Sequence, residues 1–229
     1  MYTYTIQPIS DDAILIQFSE EQEELLTYIH TFTQHLLNRK VAGIRDIVPA
    51  FTSIAVYYDP IQLTYQDLLS QLRSSLQEQE LHITRETTHV EVPICYDPEF
   101  GFDLEDIAKQ HHLSIEEVIT IHRKSVYTVA IMGFLPGFPY MTGLPERIWT
   151  PRKATPRTHV PKGAVGIGGS YTGIYSLPSP GGWNIIGQTP LTLFDRSKDN
   201  PFVFQPGDQV TFFPITKKEF EQLSRGGQS

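Results

Sequence analysis

Gly166-Ile-Gly168-Gly-Ser-Tyr-Thr-Gly173 is the stretch on which the fold turns. Its glycine spacing imitates a dinucleotide-binding loop, which works only where a helix begins at once and points its positive end at a pyrophosphate. No helical periodicity follows Gly173, so these glycines punctuate strands. The same cadence runs on either side: residues 126–132, 164–168, 184–186, 191–194 and 209–213 are short apolar runs between Gly/Pro turns. That cadence predicts an all-β barrel or sandwich. Ahead of it, residues 90–95 read as a strand and residues 103–111 as a helix. Ser114-Ile-Glu-Glu117 is a capping box that opens a second helix, because Ser114 caps the backbone while Glu117 reaches back.

Toward the N-terminus the composition changes. Residues 1–86 hold one glycine and three prolines, against 15 and 14 in residues 87–229. The first part has 12 acidic and 5 basic residues and the second 14 and 13, so nearly all of the net charge of −8 belongs to the first. These stretches read as two domains, 1–86 and 87–229. In the first, residues 3–8 and 13–18 alternate as strands around Asp11-Asp12, and residues 44–48 and 53–58 form a second pair. Leu25, Ile29, Phe32 and Leu36 recur at helical spacing, as do Tyr65, Leu68, Leu69, Leu72 and Leu76. With a strand-like 81–84 the order is β-β-α-β-β-α-β, a small sheet with both helices on one face. Nothing in this part carries a catalytic pattern, and its reading is structural or interfacial.

Several function classes fall away. Hydrophobic residues make up 40% of the 229 and charged residues 19%, a balance that builds cores rather than disorder. No apolar run approaches the ~18 residues of a membrane span. Met1-Tyr-Thr-Tyr-Thr-Ile6 shows neither a basic n-region nor an apolar h-region, which predicts no secretory signal and a cytoplasmic location. The single cysteine, Cys95, fits a reducing compartment. A pI near 5.4 argues against a nucleic-acid binder. No metal site is expected, since His111 and His112 are adjacent and cannot share a helix face as i, i+4 ligands do. The chain has no P-loop, and Ser170 lacks the glycine that a nucleophile elbow needs, because Thr172 stands there.

What remains is electrostatic. Between Arg147 and Phe194 there is no acidic residue, while Arg147, Arg152, Lys153, Arg157 and Lys162 all fall there. Proline precedes both Arg152 and Arg157 and restricts the backbone leading into each. Two readings fit: preset guanidinium forks for a carboxylate or phosphate, or a solvated basic loop. Gly133-Phe-Leu-Pro-Gly-Phe-Pro-Tyr140 and Ser179-Pro-Gly-Gly-Trp183 place aromatic rings beside backbone that approaches a ligand closely, or they are tight turns packed by aromatics. His122 shares a helix face with Ile115, Val118 and Ile119, where a packed core histidine is the ordinary reading.

These motifs together resemble a known family. The run from His122 through Tyr127, then 133–140, Pro151-Arg152, Pro156-Arg157, Val160-Pro-Lys-Gly163, Thr172-Gly-Ile-Tyr175 and 179–183 resemble the B subunit of 5-oxoprolinase. That family is also described as allophanate hydrolase subunit 1, and it includes the sporulation kinase inhibitor KipI. The resemblance spans the chain and is densest from residue 122 to 214. It implies an α+β chain, with a small N-terminal α+β sheet domain followed by a cyclophilin-like β-barrel. It also implies two partners, the C and A subunits of 5-oxoprolinase. The implied reaction is ATP-coupled opening of 5-oxoproline to glutamate, the ATP lying at a site shared with the partner. A KipI-like inhibitor, docking on a sporulation histidine kinase and blocking its autophosphorylation, is the alternative. A part in urea or allophanate breakdown is weaker, because no biotin-carrier or amidase segment is present. Ala164 and Gln188 depart from the family's usual serine and arginine.

A site for such chemistry holds a substrate carboxylate and phosphate oxygens together, with several fixed cations and N–H donors. Arg152, Arg157, Thr172, Tyr175, Ser179, Gly181, Gly182 and Trp183 are expected to converge on one concave patch. His122 is expected to reach it for proton transfer, its ordinary pKa of about 6.5 suiting work near neutrality. Arg157, with no acid near it in sequence, is expected to hold its charge for an external anion.

Overall fold

The computed structural model describes residues 2–19, 23–78 and 87–226. They fall into two compact units, Met1–Glu86 and Thr87–Ser229.

In the first unit, β1 (Tyr4–Ser10), β2 (Ala13–Phe18), β3 (Ile44–Pro49) and β4 (Ser53–Tyr58) make an antiparallel sheet in the order β1-β2-β4-β3. Strict alternation decides the buried face: Ile14, Ile16, Ile54 and Val56 are sealed from solvent. Helices α1 (Glu23–Asn38) and α2 (Tyr65–Gln77) complete one core over that face, through Leu25, Ile29, Phe32 and Leu36 and through Leu68, Leu72 and Leu76. Thr64 starts α2 by accepting the Asp67 N–H. The strand expected at 81–84 lies outside the described residues.

The second unit is built around seven strands. They are β5 (His89–Ile94), β6 (Tyr127–Met132), β7 (Pro139–Thr142), β9 (Ala164–Gly168), β10 (Tyr171–Ile174), β12 (Asn184–Gln188) and β13 (Gln209–Pro214). Their order is β12-β9-β10-β7-β6-β13-β5, with only β13 and β5 parallel among the paired strands. The two ends meet: Cys95 N–H donates to Gln188 O at 2.9 Å and Gln188 N–H returns to Cys95 O at 3.0 Å, just past β5 and at the end of β12. The sheet is thus a nearly closed barrel filled by residues such as Val92, Val129, Met141, Ile167 and Ile186. Outside it, β8 (Arg157–Val160) and β11 (Ser179–Gly181) form a two-stranded ribbon.

Two helices precede β6, α3 (Leu104–Gln110) and α4 (Ile115–Lys124), and α5 (Lys217–Gly226) follows β13. The capping box of α4 forms as the sequence predicts, Ser114 Oγ accepting the Glu117 N–H and Glu117 accepting the Ser114 N–H. Residues 191–194 do not make the expected strand: only Phe194 pairs, in an isolated bridge to Phe202. Pro190, which has no N–H to donate, stands directly before them. Among the described residues, no helix is long and apolar enough to cross a membrane.

Candidate functional site

Beside the ribbon the second unit opens into a cavity of about 290 Å³. Its wall is aromatic, from Phe134, Phe138, Tyr140, Tyr175 and Trp183, and its edge carries Arg152 and Lys153, with Pro156 and Pro180–Gly182 closing the rim. Trp183 is the centre of the wall. Phe138 and Tyr140 meet its ring edge-on at centroid separations of 5.5 and 5.6 Å, and Arg152 lies 5.6 Å over its face. Tyr175 packs at 5.2 Å against Phe138, and burial pushes its phenol above the usual range.

The glycines that imitate a nucleotide loop are the seat of this tryptophan. A Cβ on Gly168 would stand 2.6 Å from Trp183 Cε2, and one on Gly173 3.0 Å from its Cζ3. Gly166 approaches it as closely, at 3.1 Å from the Trp183 Cβ. On the ribbon, a Cβ at Gly181 would strike the Tyr175 hydroxyl. Strands β9, β10 and β11 therefore carry glycine wherever an aromatic of the wall passes over them.

Behind the cationic edge sits Asp103, 1% exposed. Its Oδ1 accepts from Arg157 Nη2 at 2.6 Å and pairs with Lys153 Nζ at 2.7 Å, and its Oδ2 accepts the Ile185 N–H at 2.7 Å. Arg157 also lies 4.7 Å over the Phe102 ring. The segment 151–157 is tied down twice more, by Asn184 Nδ2 donating to Pro151 O and by Lys153 N–H donating to Gly182 O.

Of the expected site residues, Arg152, Tyr175, Gly181, Gly182 and Trp183 meet at the cavity, and four do not line it. Arg157 has an internal counter-ion: the acid it lacks nearby in sequence is Asp103, 54 residues upstream. Ser179 lies on β11 with its hydroxyl donating to Pro180 O. Thr172 is fully buried, its hydroxyl donating to Gly166 O at 3.1 Å and facing His122 Nε2 at 3.2 Å. His122 is likewise wholly enclosed, its Nδ1 2.8 Å from the Tyr96 hydroxyl. Since Thr172 gives its proton to Gly166, the imidazole donates from Nε2 and accepts at Nδ1 from Tyr96. Burial lowers its pKa to about 3, so it is neutral at physiological pH and is a packed core histidine, not the proton carrier expected of it.

Sequence reasoning left Asp103 and Lys153 out of the site. Asp103 stands at the start of the helix read at 103–111, and nothing in the sequence spacing pairs it with residues 50 and 54 places downstream. Gln188 closes the barrel through its backbone and donates Nε2 to Lys162 O at 2.6 Å.

A family model, the carboxyltransferase domain, subdomain C and D, matches residues 4–204. This chain belongs to that family. The 5-oxoprolinase B subunit of Bacillus subtilis (strain 168) is 38% identical, over 95% of this chain and 95% of the relative. The solved structure of TTHA0988 superposes with a TM-score of 0.78 at 34% identity, covering 92% of this chain and 40% of that one. The Kluyveromyces lactis urea carboxylase shares the fold, with a TM-score of 0.76 at 22% identity over 96% of this chain and 22% of that chain. The family member described here is thus a mixed α+β chain with a nearly closed seven-strand barrel, related to 5-oxoprolinase B subunits over most of its length.

Proposed function

We propose that this chain is the B subunit of a cytoplasmic, ATP-dependent 5-oxoprolinase, which opens 5-oxo-L-proline to L-glutamate together with the A and C subunits. The observation that carries the reading is the cavity itself: an aromatic wall with two cations at one edge, in a chain related to 5-oxoprolinase B subunits. 5-Oxoproline is a small apolar ring bearing one carboxylate. Its ring suits the wall of Trp183, Tyr140 and Phe138, and its carboxylate suits Arg152 and Lys153.

The lining also limits what this chain does alone. No carboxylate, imidazole or thiol is among the residues lining the cavity, so in this reading the chain binds and orients while the partners supply the base. A lactam amide is a poor electrophile. Transfer of the ATP γ-phosphoryl to the lactam oxygen, with ADP as leaving group, would activate the carbon. Attack of water with cleavage of the C–N bond and release of phosphate would then give glutamate. Two cations and the backbone of Gly181-Gly182 fit anionic oxygens, but no P-loop is present to hold a nucleotide. Any ATP site here is therefore not a P-loop, and in this reading it is one shared with the partners. Mixing the chain with the A and C subunits, 5-oxoproline and ATP should release glutamate, and the chain alone should release none. No glutamate from the full mixture of folded components overturns the proposal. Arg152→Ala should raise KM for 5-oxoproline about ten- to hundred-fold, since a charge-assisted contact contributes roughly 1.5–3 kcal/mol.

A further inference from the structure

Asp103 occupies the N-cap position of α3, where an aspartate ordinarily accepts a backbone N–H of the first turn. Here its side chain caps nothing. Both oxygens are committed elsewhere: Oδ1 to Arg157 and Lys153, Oδ2 to the Ile185 N–H, with the Asp103 N–H donating back to Ile185 O at 2.9 Å. The close approach needs Gly101, since a Cβ there would stand 2.4 Å from Ile186 O. A carboxylate 1% exposed is costly to bury unless paired, and it is paired with two cations that are themselves 25% and 28% exposed. Lys153 alone of that pair lines the cavity, on a flexible four-carbon stem that does not hold a fixed position unaided.

Building on the assignment of the cavity to 5-oxoproline, we infer that Asp103 is the positioning residue of that site, holding Lys153 and Arg157 against β12 and so fixing the cationic edge before substrate arrives. Asp103 touches no substrate. It acts through Lys153, which meets the carboxylate already immobilised, and preorganisation of this kind is read in affinity rather than in the chemical step.

The test uses the assembled oxoprolinase, with 5-oxoproline as the varied substrate. Asp103→Asn retains the size and the acceptor for the Ile185 N–H but loses the charge. It should raise KM about tenfold, the scale of one charge-assisted contact, with kcat within about twofold. Lys153→Met should raise KM by a similar factor. In the Lys153→Met background, Asp103→Asn should add less than about twofold, because the residue through which it acts is gone. Full additivity overturns the positioning role. So does an unchanged KM in Asp103→Asn when Arg152→Ala raises it. An Arg152→Ala enzyme with unchanged KM overturns the assignment of the cavity, and the role of Asp103 with it. Loss of folding in both Asp103→Asn and Asp103→Glu makes Asp103 a residue of the fold and also overturns the inference.

Discussion

His122 and Arg157 show how one residue divides between sequence and structure. Both carry chemistry-bearing side chains in motifs of the family, and both find partners from within: His122 in Tyr96 and Thr172, Arg157 through Nη2 in Asp103, although its Nη1 is buried without a hydrogen-bond partner. Arg152 and Trp183 were legible because a guanidinium after proline and a tryptophan after two glycines say what they are locally. The other two depend on partners that no local spacing reveals. The burial of His122 has a consequence in pH. Unfolded, it takes a proton near 6.5; folded, only near 3, so between these values the unfolded state binds more protons. The stabilising contribution is complete above about pH 6.5 and falls by about 1.4 kcal/mol for each pH unit below that, until the folded pKa is reached. His122→Gln, which retains one donor and one acceptor, should flatten the acid limb by about one proton. Urea unfolding at a series of pH values between 6 and 4 reads this directly, and an unchanged slope refutes it.

Elements with a clean local period were read to their ends. Strand β4 alternates through every residue and β2 from Ile14 onward, and α4 announces its start with Ser114 and Glu117. The four strands not foreseen, β7, β8, β10 and β11, are three or four residues long; β7 and β10 turn back on their neighbours β6 and β9, while β8 finds its partner β11 on the far side of the β9–β10 hairpin. Propensity and alternation do not reveal such strands, because three or four residues show no period and the pairing itself decides them. The glycines of the sheet nevertheless explain the site. On β9, Gly168 supports the flat face of Trp183, which Phe138, Tyr140 and Gly173 hold from other sides. Gly168→Ala places a methyl within 2.6 Å of that ring, so the indole or the strand must shift. Overpacking of this kind costs about 1–3 kcal/mol. A lower thermal midpoint, changed tryptophan emission and a raised KM for 5-oxoproline should appear together. A variant matching the parent in all three would show that the seat is not tight.

At the scale of the whole molecule, the glycine-poor stretch builds a four-stranded sheet under two helices and the glycine-rich stretch builds the barrel. Each unit closes a core of its own: Ile14, Phe32, Ile54 and Leu72 belong to one cluster, Val92, Val129, Ile186 and Phe212 to another. All eleven residues lining the cavity, and Asp103 behind it, come from the second unit. The barrel closes through Cys95 and Gln188, also both in that unit, so no hydrogen bond of the closure is lost when the first is removed. Roughly 140 residues lie within the ordinary size of a domain that folds alone. Residues 87–229 expressed by themselves should therefore unfold in one cooperative transition and retain the affinity of the full chain for 5-oxoproline within about threefold, a change of less than about 1 kcal/mol. Calorimetry gives the first and ligand titration the second. A fragment that folds cooperatively but fails to bind, beside a full chain that binds, would mean that the first unit helps to make the site, and the cavity of the barrel would not suffice as its description.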